Sequence, residues 1–194
     1  DLHSFPTRRS SDLKMAVIHH QFESIHPFYD GNGRTGRILN VLYLVKEGLL
    51  SSPILYLSRY INRNRSEYYR LLQETRSTGD WENWILFILQ GIIETAESTV
   101  SQIRGIKEIM LSQKHSIREK LPKIYSHELL NNVFSHPYTK IEYVMKDVSV
   151  SRVTAIRYLQ ELMNIGILSK RKIGRDSFYV NNELLKLLYE SVNS

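Results

Sequence analysis

The chain has no cysteine. Disulfides, thiol nucleophiles and cysteine-ligated zinc or iron–sulfur centres are therefore excluded. It has no apolar run of about 18 residues, the length a membrane-crossing helix needs. Its first residues lack the charged, apolar and small-residue order of a secretory leader. No internal repeat or low-complexity tract is visible. Acid is the minority charge, with 20 Asp+Glu against 26 Lys+Arg and a net charge of +6. Hydrophobic residues make up 42% and charged residues 24%, a balance that argues against wholesale disorder. The length of 194 residues suits one large domain, or a medium domain plus a small one. The expectation is a soluble, cytoplasmic protein without a membrane partner, whose basic surplus favours an anionic one.

The chain starts without Met, as Asp-Leu-His-Ser-Phe-Pro-Thr-Arg-Arg-Ser-Ser-Asp-Leu. The run His3 to Leu13 reads as one frame of a common short-read sequencing adapter. Residues 1–13 are therefore expected to be an artefact or tail, with the native chain continuing upstream of Lys14. Asp1, Asp12, Arg8 and Arg9 cancel, so the charge of +6 survives their removal.

From Lys14 to Ile25 the spacing of Met15, Ile18, Phe22 and Ile25 predicts a helix. It should stop at His26-Pro27, because proline disfavours helical geometry in the residue before it. A polar, glycine-rich loop follows, then a helix from Arg34 to about Glu47, ended by Gly48. Short helices are expected over Ile54–Ile61 and Asn64–Ser77, and a long one from Trp81 to about Lys120. Residues 121–194 change character: helices over Glu128–Phe134, Lys140–Lys146 and Ser149–Asn164 precede β-like segments at Ile167–Ser169 and Ser177–Val180. Lys170 to Asp176 would join the two strands as a loop. That order is the layout of a winged helix–turn–helix. The fold expected is mainly α: a helical bundle over 14–120 followed by a winged-helix domain over 121–194.

The chemistry concentrates in His26-Pro-Phe-Tyr-Asp-Gly-Asn-Gly-Arg-Thr-Gly-Arg37. Gly31, Asn32 and Gly33 allow positive φ, so successive N–H groups can point into one concavity. The following helix presents its N-terminal amides and dipole to the same place. Arg34 and Arg37 add fork-shaped positive charge suited to phosphate oxygens. Asp30 supplies one carboxylate, and Mg²⁺ at nucleotide sites commonly uses one or two carboxylates plus substrate phosphates. His26 is the side chain here that can exchange a proton near neutral pH. A base, a metal carboxylate and an anion nest within one short loop describe nucleotidyl or phosphoryl transfer.

This stretch resembles the signature of the Fic family, His-x-Phe-x-(Asp/Glu)-Gly-Asn-Gly-Arg-x-x-Arg, at every fixed position. Phe22-Glu23-x-Ile25 before it and Leu55-Tyr56-Leu57-Ser58-x-Tyr60-Ile61 after it are similar to bacterial Fic proteins that end in a winged helix. The resemblance covers roughly residues 14–181. It implies a protein adenylyltransferase, which moves the AMP of ATP to a Ser, Thr or Tyr hydroxyl of a target protein and releases pyrophosphate. His26 would be the general base and Asp30 would hold Mg²⁺. Gly31, Asn32 and Gly33 would cradle the phosphates. Arg34 would hold the γ-phosphate, and Arg37 would contact phosphate or bridge elements of the site. Phe28 would point into the core and fix the loop. The related Doc-type kinases carry a bulkier residue, typically Lys, at the position of Gly33, so this glycine favours AMP transfer. Members of this type also use an upstream β-hairpin flap and an inhibitory Glu that pairs with the arginine matched by Arg37. Both are expected to be missing, because little chain precedes the motif. Two alternatives remain open: removal of AMP by the same groups, and a DNA-binding regulator in which the site senses nucleotide.

His19 and His20 read as packing residues, and so do Trp81 and Trp84. Tyr56 to Tyr60 reads as core and groove wall. Between Leu121 and Asn181 there are nine basic and five acidic residues. Ser151, Arg152 and Arg157 on the expected recognition helix, with Lys170, Arg171, Lys172 and Arg175 in the expected wing, are the candidate nucleic-acid contacts. Winged helices also bind proteins, so the partner of this domain is left as DNA or protein, and the oligomeric state is not readable.

Overall fold

The computed structural model describes residues 6–193. It divides into two compact units that meet at Thr99 and Val100, inside one long helix.

The first unit holds α1 (Pro6–Ile25), α2 (Asn32–Lys46), α3 (Ser58–Arg63), α4 (Arg65–Thr78) and the first half of α5 (Glu82–Lys120). Helix α1 begins before Lys14, and within the expected tail Ser11 is buried, with its hydroxyl donating to Glu47 Oε2 at 3.2 Å. The core gathers Met15, Leu44, Ile61, Leu71, Trp84 and Ile88. Trp84 is fully buried and its indole N–H donates to the Ala16 carbonyl at 2.8 Å, which ties α5 to α1. A buried indole needs such a partner, because an unmade hydrogen bond costs more than a made one gains.

The pairing of α1 with α2 is unusual in composition. The buried face of α2 repeats every fourth residue as Asn32, Gly36, Asn40 and Leu44. Opposite lie the buried Met15, His19 and Glu23 of α1, also four apart. Residues four apart share a helix face, so the two faces meet through polar groups except where Met15 and Leu44 join the apolar core. The apolar spacing that predicts α1 does not mark this face, since it includes Ile18 and Ile25. Both are exposed. Helix α3 starts at Ser58, later than the expected Ile54, because Ser52 and Pro53 lead into an extended stretch that buries Leu55 and Leu57.

The second unit contains the rest of α5, α6 (His127–Ser135), β1 (Tyr138–Thr139), α7 (Ile141–Asp147), α8 (Arg152–Asn164), β2 (Leu168–Ile173), β3 (Asp176–Asn181) and α9 (Asn182–Asn193). The strands form one antiparallel sheet in the order β1-β3-β2. Ser126 and Ser151 cap α6 and α8, their hydroxyls accepting from Leu129 N and Thr154 N. The core joins Ile117 of α5 to Leu129, Val133, Val144, Leu159 and Leu162. Gln113 of α5 exchanges hydrogen bonds with buried Asn181 at 3.0 and 3.1 Å. The second half of α5 is thus part of this unit's interior, so the division falls near 100 rather than at the helix end near 120. Two elements went unanticipated: β1 is too short to show alternation, and α9 follows directly on β3 without a breaker. Among the described residues no helix is long and apolar enough to cross a membrane.

Candidate active site

The site forms where α1 ends and α2 begins. The His26 N–H still donates to the Phe22 carbonyl at 3.0 Å, but His26 itself adopts φ 51. Positive φ is uncommon outside glycine, with histidine among the tolerated types. The chain is thereby thrown out of the helix just ahead of Pro27. Asn32 then closes the loop: its Oδ1 accepts from Phe28 N at 2.9 Å and its Nδ2 donates to Phe28 O at 2.6 Å. Gly31, with φ 86, caps α2, and Thr35 Oγ1 donates to its carbonyl at 3.1 Å.

His26, Asp30, Gly31, Asn32, Gly33, Arg34 and Arg37 all line one cavity of about 520 Å³. The structure thus brings together every residue of the motif singled out for catalysis, phosphate and metal. Asp30 Oδ1 accepts the Gly31 N–H at 2.6 Å, and its Oδ2 pairs with Arg34 Nη2 at 3.1 Å. Both side chains are largely exposed, so this pair contributes less than about 1 kcal/mol and yields readily to a ligand. Arg37 Nε donates to Ser58 Oγ at 2.8 Å, which fixes its guanidinium from α3. A Cβ on Gly33 would meet Arg37 Nη1 at 3.0 Å, so a side chain there would press on that guanidinium.

Two of the expected roles change. The side chain of Asn32 spends both polar ends on Phe28, so it fixes the loop, and α2 offers an anion its backbone amides. Phe28 does not enter the core: it is 50% exposed, with its ring 6.2 Å from that of Phe22. The loop is held through the Phe28 backbone instead of its ring.

Beneath the loop lies the polar seam of α1 and α2. A Cβ on Gly36 would sit 2.5 Å from Glu23 Oε1 and 3.1 Å from the His19 ring. His19 bonds the Tyr68 hydroxyl through Nε2 at 3.1 Å and stacks on Trp84. Burial lowers its pKa to about 4, so it is neutral at pH 7. Burial pushes the Tyr68 hydroxyl up. His20 bonds the Leu72 carbonyl at 3.2 Å and meets Trp81 and Trp84 edge-on. Both histidines pack, as their helix position suggested. Glu23 Oε1, His19 Nδ1 and both amide atoms of Asn40 are buried without a direct hydrogen-bond partner.

Helix α4 adds residues the motif did not announce. Arg65, Tyr69, Leu72 and Arg76 line the same cavity. Their spacing of four, three and four puts them on one helix face, a basic and aromatic stripe that was readable but had no motif attached. Arg76 donates to Ser24 Oγ at 3.0 Å and to the Glu23 carbonyl at 2.9 Å, tying α4 to the end of α1. A second, more apolar cavity of about 540 Å³ shares Arg34 and Arg37 and is walled by Ile38, Leu42, Leu55 and Tyr56.

Among the described residues no group of three or more His, Asp or Glu could hold a metal by itself. Asp30, exposed on the cavity, fits a cation that takes one carboxylate and fills its shell with phosphate oxygens and water.

In the second unit the candidate contacts divide. Ser151 uses its hydroxyl as the cap of α8, Arg152 pairs with Glu142 at 3.1 Å, and Arg157 lies over the Tyr158 ring. Lys170, Arg171 and Lys172 are not in a loop. They belong to β2, and the turn is Gly174-Arg175, flanked by the pair Ile173 and Asp176. The strand expected over Ile167–Ser169 continues to Ile173, a continuation without apolar alternation because this part of β2 is solvent-exposed. Arg152 and Arg175 line a common cleft with Lys140, Glu142 and Asp176.

Residues 3–44 match the Fic/DOC family, and residues 109–184 match the C-terminal domain of SoFic-like protein adenylyltransferases. An Aquifex aeolicus protein named a probable protein adenylyltransferase is 46% identical over 61 residues, which are 31% of this chain and 17% of the relative. A Fido domain-containing protein of Dictyostelium discoideum is 54% identical over 44 residues, 22% of this chain and 31% of its own. The protein adenylyltransferase Fic of Drosophila mojavensis is 30% identical over 114 residues, 58% of this chain and 21% of its own. The matched stretch is thus under a third of each of these curated relatives.

Proposed function

We propose, for a chain that belongs to the Fic/DOC family, that it moves the AMP of ATP onto a Ser, Thr or Tyr hydroxyl of a target protein and releases pyrophosphate. The observation that carries this reading is the single cavity shared by the exposed His26, the carboxylate of Asp30, the motif arginines Arg34 and Arg37 and the N-terminus of α2. His26 accepts the proton of the incoming hydroxyl. The hydroxyl oxygen forms its bond to the α-phosphorus as the bond to the β-phosphate bridge breaks. Arg34, Arg37 and the amides of Gly31, Asn32 and Gly33 take up the negative charge that develops on the phosphates, without reorganising during the step. Asp30 would hold Mg²⁺, which neutralises phosphate charge and favours pyrophosphate departure. Binding of ATP replaces the Asp30–Arg34 pair by a pair of ligand contacts of the same two charges. Gly33 leaves room beside Arg37 and so favours the AMP-transfer orientation of the nucleotide.

The test uses the chain itself with ATP and Mg²⁺. Label from the α-phosphate should become covalently attached to the chain or to an added target, and label from the γ-phosphate should not. His26→Ala should stop the labelling. Transfer of the γ-label would instead mean phosphoryl transfer. The same groups serve AMP removal, and loss of label from a pre-modified target would show that direction.

The second unit supports a second reading, as a winged helix that binds duplex DNA. The three-helix order with its β-hairpin, and the cleft that joins Arg152 of α8 to Arg175 of the hairpin turn, favour it. Salt-dependent binding of duplex DNA by the full chain tests it.

A further inference from the structure

Glu23 stands in the last turn of α1, three residues before His26, and both line the phosphate cavity. It is 7% exposed, and its Oε1 has no hydrogen-bond partner. A buried carboxylate without a hydrogen-bond partner is costly unless a charged group lies nearby. The structure makes room for it: the bare Cα of Gly36 leaves the space that Oε1 fills, and Arg76 grips the Glu23 carbonyl from α4.

We propose that Glu23 is a positioning residue for the base, its buried carboxylate stabilising the imidazolium that His26 becomes when it takes the proton of the target hydroxyl. This rests on the reading of the site as an AMP transferase. The charge balance follows directly. As the oxygen–phosphorus bond forms and pyrophosphate leaves, His26 gains one positive charge, and a fixed negative charge below it favours that state. Burial raises the pKa of Glu23, while the charges of His26, Arg37 and Arg76 pull it down. The other groups around Glu23 are the neutral His19 and the Tyr68 hydroxyl, and the cavity around His26 also holds Asp30, Arg34 and Arg65. Among the acidic groups lining that cavity, Asp30 is already paired with Arg34, which leaves Glu23 as the carboxylate available to His26.

The experiment is a proton NMR titration of the His26 imidazole in the full chain, wild type against Glu23→Gln and Glu23→Asp, alongside the pH profile of AMP transfer. Glu23→Gln should move the His26 midpoint down by about one unit, shift the acid limb of the rate profile the same way, and lower the plateau rate. Glu23→Asp keeps the charge and should retain most of the wild-type midpoint. An unchanged His26 midpoint in Glu23→Gln overturns the proposal. Should Glu23→Gln fail to fold, a Glu23→Asp midpoint equal to that of chain denatured in urea overturns it instead. If no AMP transfer is detected in wild type, the reading of the enzyme fails, while the titration still decides whether Glu23 acts on His26.

Discussion

Glu23 Oε1 occupies the place that a side chain on Gly36 would take: a Cβ built there lies 2.5 Å from that oxygen. The glycine within the motif therefore serves the carboxylate behind it. Substitution Gly36→Ala must displace a buried, confined group, which costs about 1–3 kcal/mol as overpacking generally does. Urea unfolding should show this loss. Gly79→Ala, where nothing lies within 4 Å of a new Cβ, provides a contrast that reports backbone strain at φ 73 alone.

His26→Ala should lower the rate of AMP transfer about 10²–10⁴-fold, the usual contribution of a general base. Because His26 is exposed, the substitution removes little packing, and any fall in the thermal midpoint should reflect the strain of alanine at φ 51. ATP affinity, measured by calorimetry, should change little if, as proposed, the phosphates are held by Arg34, Arg37 and the α2 amides.

Asp30→Asn removes the partner of Arg34. As that pair is exposed, stability should change by less than about 1 kcal/mol. AMP transfer should nonetheless fall and need more Mg²⁺, read as a rise in the half-saturating metal concentration. A variant whose metal dependence is unaltered would remove Asp30 from the metal site.

His19 makes stability depend on pH. Its pKa falls from 6.5 to about 4 on folding, so the unfolded chain binds more protons between those values. Stability is full above the unfolded value and declines as pH drops from 6.5 toward 4, by about 3 kcal/mol in all. Glu23 has the opposite sign, since its raised pKa adds stability that is lost as pH rises through its folded value. Urea melts at several pH values should slope less steeply for His19→Gln than for wild type, and the difference isolates His19.

If the second unit binds DNA, Lys170→Ala and Lys172→Ala should each weaken binding regardless of sequence. Each lost phosphate contact should reduce the slope of log affinity against log salt by about one. Fluorescence anisotropy with a short duplex measures this. Arg152→Ala should have the smaller effect of the two kinds, because Arg152 already pairs with Glu142.

The loop from His26 to Arg37 was legible because its determinants are local. Proline after His26 ends α1, glycine at 31 permits the left-handed cap, and the arginines lie one turn apart on α2. The long α5, helices α6 to α8 and the start of the hairpin followed from apolar spacing, with Gly48 as the stop of α2. The tip of the hairpin did not, because an exposed basic strand has no burial pattern to read. Nor did the outward turn of Phe28, since nothing near it in sequence reveals that Asn32 takes over the fixing of the loop.

What the sequence determined by itself was the segment that carries the candidate chemistry: a histidine, a carboxylate, a glycine-rich loop and two arginines within twelve residues. What only the tertiary structure decided was the surroundings that tune it. Glu23 lies under the site because Gly36 is opposite, and Arg65 and Arg76 reach the cavity because α4 packs beside α1. His19 is neutral because Trp84 and Tyr68 bury it. Motif chemistry depends on residues joined by a few peptide bonds, whose geometry is set by local torsions. Burial and charge environment depend on contacts between residues dozens of positions apart, and those exist only once the helices have packed.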